Sequence, residues 1–589
     1  MTGTSFRWAS ASLLTFLMGW GGSFPLVHGI RGMRWGFDEE PTKPTRAPPE
    51  AHVACGTLKG SWEKDLAAFR GIPYGEAPVG NRRWKPAEPA TCWSSDTALD
   101  VSKNGPICFQ GKGGPSRFHA FEKFLGLAGD EVESEDCLNL NVFAPDGARD
   151  LPVFVWIYGG SSVEGHVGWD FYGPLENIVH RHPCIVVAMN YRLGVLGYLA
   201  LKELSAVDPR KGSGNAGIAD QQLALRWVQE NIHAFGGDPK RVTLIGQSSG
   251  GTSILGHLAS HSSRGLFHGA ISLSASPNIT MDRATKEAQD LALIIPRTPC
   301  ASVSSSELLE CLYTADAAAL DAALPTSYSE PSSDAPNGEW VFDYPTNREG
   351  LKSRMNALLF VDGATITMPV LEALRTGLND VPLLLQSTQA ELDSPSKTVL
   401  WDVQSHADLA EFLHEKFDRV YGREVAERIR RFYDHYDPPQ YGLFALDSDT
   451  GLACALRRFA MAARSGFRQP VYWTTVTSKP SSTVAFMWEL PFHNWDFMAA
   501  VGNWDTFGYT PSEGDVAFGE RILDDWFQLL TRGNLTSDRG YVPVQASPSE
   551  NVIGSIVGDA ETRAQPDHKH EVCTFWESIG VDQRWWWIN

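Results

Sequence analysis

Residues 242–254 read VTLIGQSSGGTSI, and no other stretch restricts the fold of this chain so tightly. The apolar run 242–245 has the composition of a buried strand. It passes into Gly246-Gln247-Ser248-Ser249-Gly250, after which small residues open a helix. A Gly-x-Ser-x-Gly turn between strand and helix lifts one serine hydroxyl above a sheet. Gly246 and Gly250 flank Ser248 because a Cβ at either place would collide with the neighbouring strand or helix. The pentapeptide alone is weak: at ordinary Gly and Ser frequencies it arises about 0.2 times by chance in a chain of 589 residues. The strand before it and the helix start after it carry the weight. A serine so placed needs an acid and a base later in the chain, in that order, and an oxyanion hole.

The surrounding pattern is α/β. Residues 151–158 (LPVFVWIY) and 185–189 (IVVAM) read as central strands, and 219–232 as a helix with Leu223, Trp227, Val228 and Ile232 on one face. Further strands are expected at 381–385, 471–476 and 484–488, and helix over 411–433 and up to Leu530. Near-continuous apolar strands alternating with helices imply a mostly parallel central sheet covered by helices on both faces. The N-terminus carries Arg7, an apolar run 8–20 and a Val27-His28-Gly29 site. This is the pattern of a signal peptide over 1–29. Residues 30–50 are a Pro-rich, charged linker, and 51–589 form one large domain. No later stretch is apolar enough for stable membrane insertion. A formal net charge of −20 disfavours nucleic acid as a partner. Nine cysteines suit an oxidising compartment, with no zinc spacing among them, so no metal and no cofactor is expected. Asn278-Ile279-Thr280 and Asn534-Leu535-Thr536 are glycosylation candidates of a secreted, extracellular chain.

Glu391, past the strand at 381–385, fits the acid slot; Asp393 and Asp362 are alternatives. Among the downstream histidines, His406 and His414 lie in polar, helical surface, and His568 and His570 in a charged stretch. His493 stands among Leu490, Pro491, Phe492 and Trp495, where a ring can be buried and aimed. For the oxyanion hole, one N–H comes from Ser249, after the nucleophile. The others come from Tyr158-Gly159-Gly160-Ser161, the Gly-rich loop after an early strand.

With these pieces in place the chain resembles the type-B carboxylesterase family, which includes cholinesterases and secreted fungal lipases. The resemblance rests on 69–74 (FRGIPY), 134–142 (SEDCLNLNV), 156–160 (WIYGG), 190–192 (NYR), 220–228 (DQQLALRWV), 235–239 (FGGDP) and the Ser248 turn. It implies a single α/β-hydrolase domain and favours Glu391 over Asp393. It places His493 in an H-x-x-[DE] context ending at Asp496, and makes Ser274 a supporting serine behind the triad. It implies disulfides Cys108–Cys137, Cys300–Cys311 and Cys454–Cys573, and an ion pair of Arg83 with Glu135. Cys55–Cys92 is a further candidate, and Cys184 reads as a free core thiol.

Three departures bear on substrate. The third oxyanion-loop position is Ser161, where a Cβ costs roughly 1–2 kcal/mol if φ is positive. Ser162 stands where the family usually has an aromatic, which would open a pocket. Gln247 stands where the family often has glutamate, and the loop between Cys108 and Cys137 holds no tryptophan, so acetylcholine is disfavoured. The expected activity is cleavage of small-molecule or lipid carboxylic esters through an acyl-enzyme on Ser248. Residues 118–127 would serve as a lipase-type lid or as a fixed rim. Acyl transfer and a non-catalytic, cholinesterase-like binding role are the rivals. The sequence does not set an oligomeric state.

Overall fold

The computed structural model describes residues 46–93, 97–110, 131–277, 279–325, 328, 358–391, 403–482, 490–506, 508–545 and 554–580, with backbone only at 419 and 420. The signal peptide at 1–29, the lid candidate at 118–127, the strand expected at 484–488, Asn278 and Asp393 lie outside the described residues. Residues 48–589 cluster as one compact unit.

Along the chain the strands are β1 (Glu50–Val53), β2 (Gly56–Lys59), β3 (Ser61–Glu63), β4 (Leu66–Pro73), β5 (Leu99–Asp100), β6 (Asn139–Pro145) and β7 (Leu151–Ile157). They continue as β8 (Ile185–Met189), β9 (Gly237–Gln247), β10 (Gly269–Leu273), β11 (Leu383–Thr388), β12 (Val471–Val476), β13 (Gly554–Val557) and β14 (Thr562–Gln565). Strands β1, β2 and β5 form a small sheet. The other eleven form one large sheet in the order β14-β13-β12-β11-β10-β9-β7-β8-β6-β4-β3. Every neighbour pair from β8 to β13 is parallel; antiparallel pairs occur only towards the two edges. Strands β8, β10, β11 and β12 are buried at every position. That is why none of them shows an apolar–polar alternation: both faces of the sheet are covered, and the polar residues they carry, such as Gln386, Ser387 and Thr474, are buried with the rest. The molecule therefore has the α/β-hydrolase architecture expected of it.

Two helices show where local chemistry set the boundaries. Residues Ala216–Asn231 form the helix expected at 219–232, entered from Asn215 at φ 51° and closed through a short 3₁₀ turn at Gly236, φ 81°. The region 411–433 is two helices rather than one, His406–Tyr421 and Arg423–Tyr433. Gly422 at φ 87° breaks them, a conformation a side chain would resist. A Ser405/Asp408 capping box starts the first of the pair.

Four disulfides staple the structure: Cys55–Cys92, Cys108–Cys137, Cys300–Cys311 and Cys454–Cys573. Cys184 is free and buried, its thiol pushed up by desolvation. Arg83 holds Glu135 through two bonds of 2.6 and 2.7 Å and also donates to the Leu312 and Ala315 carbonyls.

Candidate active site

Strand β9 ends at Gln247 and a helix, Ser249–Leu258, begins two residues later. Ser248 makes the turn alone, at φ 58° and ψ −127°. A side chain in such a region costs on the order of 1–3 kcal/mol, so the surroundings must impose it. They do so through backbone: the Ser248 N–H donates to the Leu273 carbonyl of β10 at 2.9 Å, and Thr252 N–H returns a bond to the Ser248 carbonyl. A Cβ on Gly250 would sit 2.0 Å from the Ile157 carbonyl oxygen, and one on Gly246 2.7 Å from the Gly250 carbonyl carbon. Only glycine permits the helix to approach β7 so closely. The serine is thereby exposed to whatever stands above the end of the sheet.

The oxyanion-loop residues follow β7 directly. A Cβ on Gly159 would fall 2.8 Å from the Ser248 Cβ, so this loop lies against the serine. Gly160 adopts φ 110°, and a Cβ there would meet the Glu164 carbonyl at 2.3 Å. Ser161 and Ser162 both take positive φ, 54° and 59°. The strain that the third position risked is thus present, and it extends one residue further. Ser162 is held at both ends: its N–H donates to Ser249 Oγ at 3.0 Å, and its carbonyl accepts from Gly194 N–H at 2.8 Å. Its side chain is fully buried beside the Tyr198 hydroxyl. Among the described residues, neither Gly160 nor Ser161 donates its N–H to a backbone acceptor.

The acid and base candidates lie beyond two neighbouring parallel strands, β11 and β12. Ala390 pairs with Phe492 in a single parallel bridge, and Ala390 N–H donates to the Pro491 carbonyl at 3.0 Å. This one bridge registers the next residues, Glu391 and His493. Glu391 Oε2 lies 2.6 Å from His493 Nδ1. Its other oxygen accepts from Thr388 N–H at 2.6 Å, and the Glu391 N–H is tied to Ser448 Oγ at 2.8 Å. Glu391 is fully buried; the His493 ring keeps 25% exposure, as a group that must meet substrate requires. Asp362, an alternative acid, is spent elsewhere: it accepts from Asn215 Nδ2 and the Thr365 and Ile366 amides. His406 and His414 face surface carboxylates. His568 is buried rather than lying in charged surface, against Thr475 Oγ1 at 2.8 Å, and desolvation brings it down to about 3.

Two positions behave differently from their expected supporting roles. Ser274 is buried at φ 49° with its N–H on the Gln386 carbonyl, but its hydroxyl has no hydrogen-bond partner among the described residues. Glu391 is held by Thr388 and Ser448. Gln247 is closer to the chemistry than a background residue: its Nε2 lies 3.1 Å from His493 Nε2. Its Oε1 accepts from the Tyr172 hydroxyl at 2.6 Å. Tyr172 in turn accepts from the Gly159 N–H, and burial pushes its phenol well above the ordinary value. Nothing in the local sequence singled out Tyr172, which sits past the loop in an aromatic cluster with Trp156, Trp169, Phe171 and Phe497. Asp496, on the helix after His493, is fully buried, and desolvation raises it to about 6. Gln386 Nε2 donates to it at 2.6 Å.

An α/β-hydrolase sheet with a serine turn, a facing Gly-rich loop and a His–Glu pair defines a class of protein. Within that class, the chain belongs to the carboxylesterase family, whose model matches residues 47–576. It is 39% identical over 254 residues to an acetylcholinesterase of Danio rerio and 42% identical over 233 residues to a para-nitrobenzyl esterase of Bacillus subtilis (strain 168). These matches take in 42% and 39% of this chain and span only 38% and 44% of the two relatives. A solved PNB esterase structure aligns with a TM-score of 0.67 at 26% identity, covering 89% of this chain and 99% of that one.

Proposed function

We propose that the protein is a secreted serine hydrolase that cleaves carboxylic esters through an acyl-enzyme on Ser248. The observation that carries this reading is the 2.6 Å contact between His493 Nδ1 and the buried Glu391, on loops registered beside the Ser248 turn. His493, with its Nδ1–H held by Glu391, takes the Ser248 proton at Nε2 as the oxygen attacks the ester carbonyl. The Gly160, Ser161 and Ser249 N–H groups receive the negative charge that develops on the carbonyl oxygen. His493 then returns the proton to the departing alcohol. In the second half, the same imidazole activates a water that releases the acid and restores Ser248.

Family membership and esterase relatives support ester hydrolysis. Four disulfides support an oxidising, extracellular setting, and Asn534 is exposed as a glycosylated residue must be. No helix among the described residues is long and apolar enough to cross a membrane. Acetylcholine, which gives one of the relatives its name, is disfavoured here because Gln247 supplies no negative charge for a cation.

The test is Ser248→Ala assayed on p-nitrophenyl esters of increasing acyl length. Hydrolysis should vanish at every length, and activity retained by the variant removes the assignment. On the unmodified protein the same series separates an esterase from a lipase: saturation below the solubility limit marks the former, a jump above it the latter.

A further inference from the structure

A cleft of about 440 Å³ opens on the far side of Tyr172 from Gln247, and none of Ser248, Glu391 and His493 lines it. Strands β4, β6 and β7 supply its floor through Arg70, Asn141 and Trp156; its walls are the stretches 167–177 and 502–506. The walls are tied together by bonds from side chains to backbone. Asn503 Nδ2 donates to the Asp170 and Phe171 carbonyls at 2.8 and 2.9 Å, and Thr506 Oγ1 to the Asp170 carbonyl at 3.1 Å. Asn177 Nδ2 donates to the Val501 carbonyl at 2.8 Å. A cleft held in this way is formed before a ligand arrives, so little ordering is lost on binding.

Several polar groups on this cleft are left unspent. Asn141 Oδ1 accepts from the Gly71 N–H at 2.9 Å, so its NH₂ faces Asn104, whose Oδ1 accepts at 2.8 Å. That fixes the Asn104 amide and leaves its own NH₂ with no acceptor among the described residues. A Cβ on Gly168 would meet this Nδ2 at 2.4 Å, so glycine there makes room for the amide. Trp504 packs against Trp495 and Tyr509, yet its indole N–H has no acceptor among the described residues. The carboxylates of Asp170 and Asp505 are exposed and accept no hydrogen bond among the described residues. Arg70, by contrast, is already committed to Glu63 and Glu176. The free groups are thus two donors, Asn104 and Trp504, and two acceptors, Asp170 and Asp505, with the Trp169 and Trp504 rings among them.

We propose that this cleft binds a neutral sugar of mono- or disaccharide size, at a site separate from the one that cleaves esters. An acyl chain needs continuous apolar walls, which four free polar groups deny it. Two unpaired carboxylates repel an anion. An ammonium ion would use the carboxylates and the rings but would meet the Asn104 and Trp504 donors with nothing to accept from them. A sugar satisfies all of them. Its hydroxyls both donate and accept, and the C–H face of its ring lies flat on an indole. The volume falls within the range of about 300–1,000 Å³ that small-molecule sites occupy. A free sugar and the terminal units of a larger glycan share this chemistry.

The experiment is saturation-transfer NMR on the full chain with the methyl glycosides of glucose, galactose, mannose and N-acetylglucosamine, and with cellobiose and chitobiose, followed by titration of whichever binds. At least one should bind. Trp504→Ala should weaken that binding about tenfold or more. Asp505→Ala should weaken it about tenfold, whereas Asp505→Asn, which keeps an acceptor and loses the charge, should cost about threefold or less. Asp505 is exposed and makes no side-chain bond, so its variants should keep the urea midpoint of the unmodified protein, which checks that they are folded. Ser248→Ala should bind the same sugar equally well, so the sugar site stands or falls apart from the ester-cleaving reading. Cosedimentation with insoluble cellulose or chitin, lost in Trp504→Ala, marks a glycan end as the ligand; binding of the small glycosides alone marks a free sugar. The proposal fails if no glycoside binds, or if binding is unchanged in both Trp504→Ala and Asp505→Ala. It fails equally if tetramethylammonium binds in place of the sugars and is lost in Asp505→Asn, since the cleft is then a cation site.

Discussion

The two arms of this site are built from different materials. The Ser248 arm, comprising the turn and the Gly-rich loop, is made of backbone: positive φ values and glycines with no room for a Cβ. The His493 arm is made of side chains. Two of its bonds link residues more than a hundred positions apart in sequence: Glu391 with His493, and Gln247 with His493. A backbone-built arm tolerates almost no change in shape, because its atoms belong to the sheet itself. A side-chain arm tolerates change in shape but not in proton placement. The first should break by unfolding, the second by losing turnover in an intact fold.

The widest separation should appear between Gly250→Ala and Glu391→Gln. In the first, the added Cβ meets the Ile157 carbonyl oxygen at 2.0 Å, and backbone cannot rotate out of the way. The expected loss is roughly 3 kcal/mol or more, read as a fall in the urea midpoint or as insoluble protein. In the second, glutamine keeps the volume and an acceptor for Thr388 N–H, so the midpoint should move little. The rate should fall about 10³–10⁴-fold at nearly unchanged KM, as when a triad acid is replaced by its amide and the wrong tautomer forms. If Glu391→Gln unfolds the protein instead, the distinction between the arms is lost.

A finer test lies within the Ser248 arm, where one residue serves both the turn and the loop. Ser249, proposed above to give an N–H to the oxyanion hole, also accepts at Oγ from Ser162 N–H at 3.0 Å and so pins a loop carrying two serines at positive φ. Ser249→Ala leaves that buried N–H without an acceptor, a cost of about 1–3 kcal/mol. We expect a roughly tenfold fall in kcat with KM little changed, since the loop would drift from where the oxyanion forms. Adding Ser161→Gly, which relieves the strain at φ 54°, should restore part of the rate. No rescue would mean that the hydroxyl does not work through the loop.

The same division explains what could be read from sequence. Backbone-built features leave marks in order along the chain: the glycines around Ser248, Gly159-Gly160 after β7, and the apolar runs of β7, β8 and β12 with nearly their observed bounds. The pairing of Glu391 with His493 was legible from the order of strands and polar residues along the chain. What the sequence hid were contacts between distant side chains. Tyr172 looks like one aromatic among several until the fold sets its hydroxyl on Gln247. Thr388 and Ser448, which hold Glu391, carry no pattern at all, whereas Ser274, which the family resemblance picked out, makes no side-chain bond among the described residues. Gly422 failed differently: one glycine in a charged helical run is a weak signal until its φ of 87° is seen.

The smallest effect concerns Asp496, at the base of the side-chain arm. Desolvation raises its carboxyl from 3.8 to about 6, partly offset by the bond from Gln386. Between these two values the folded state holds a proton that the unfolded chain has released. Linkage then fixes the sign: this group's contribution to stability is fully present below about pH 4, falls as pH rises through about 6, and is constant above. Asp496→Asn removes the titration while keeping a carbonyl for Gln386 Nε2. Urea midpoints at about pH 4 and about pH 7.5 should therefore differ less in the variant than in the unmodified protein, by on the order of 1–3 kcal/mol. Parallel curves would show that Asp496 stays ionised when buried. The His493 arm would then hold a second fixed negative charge beside Glu391.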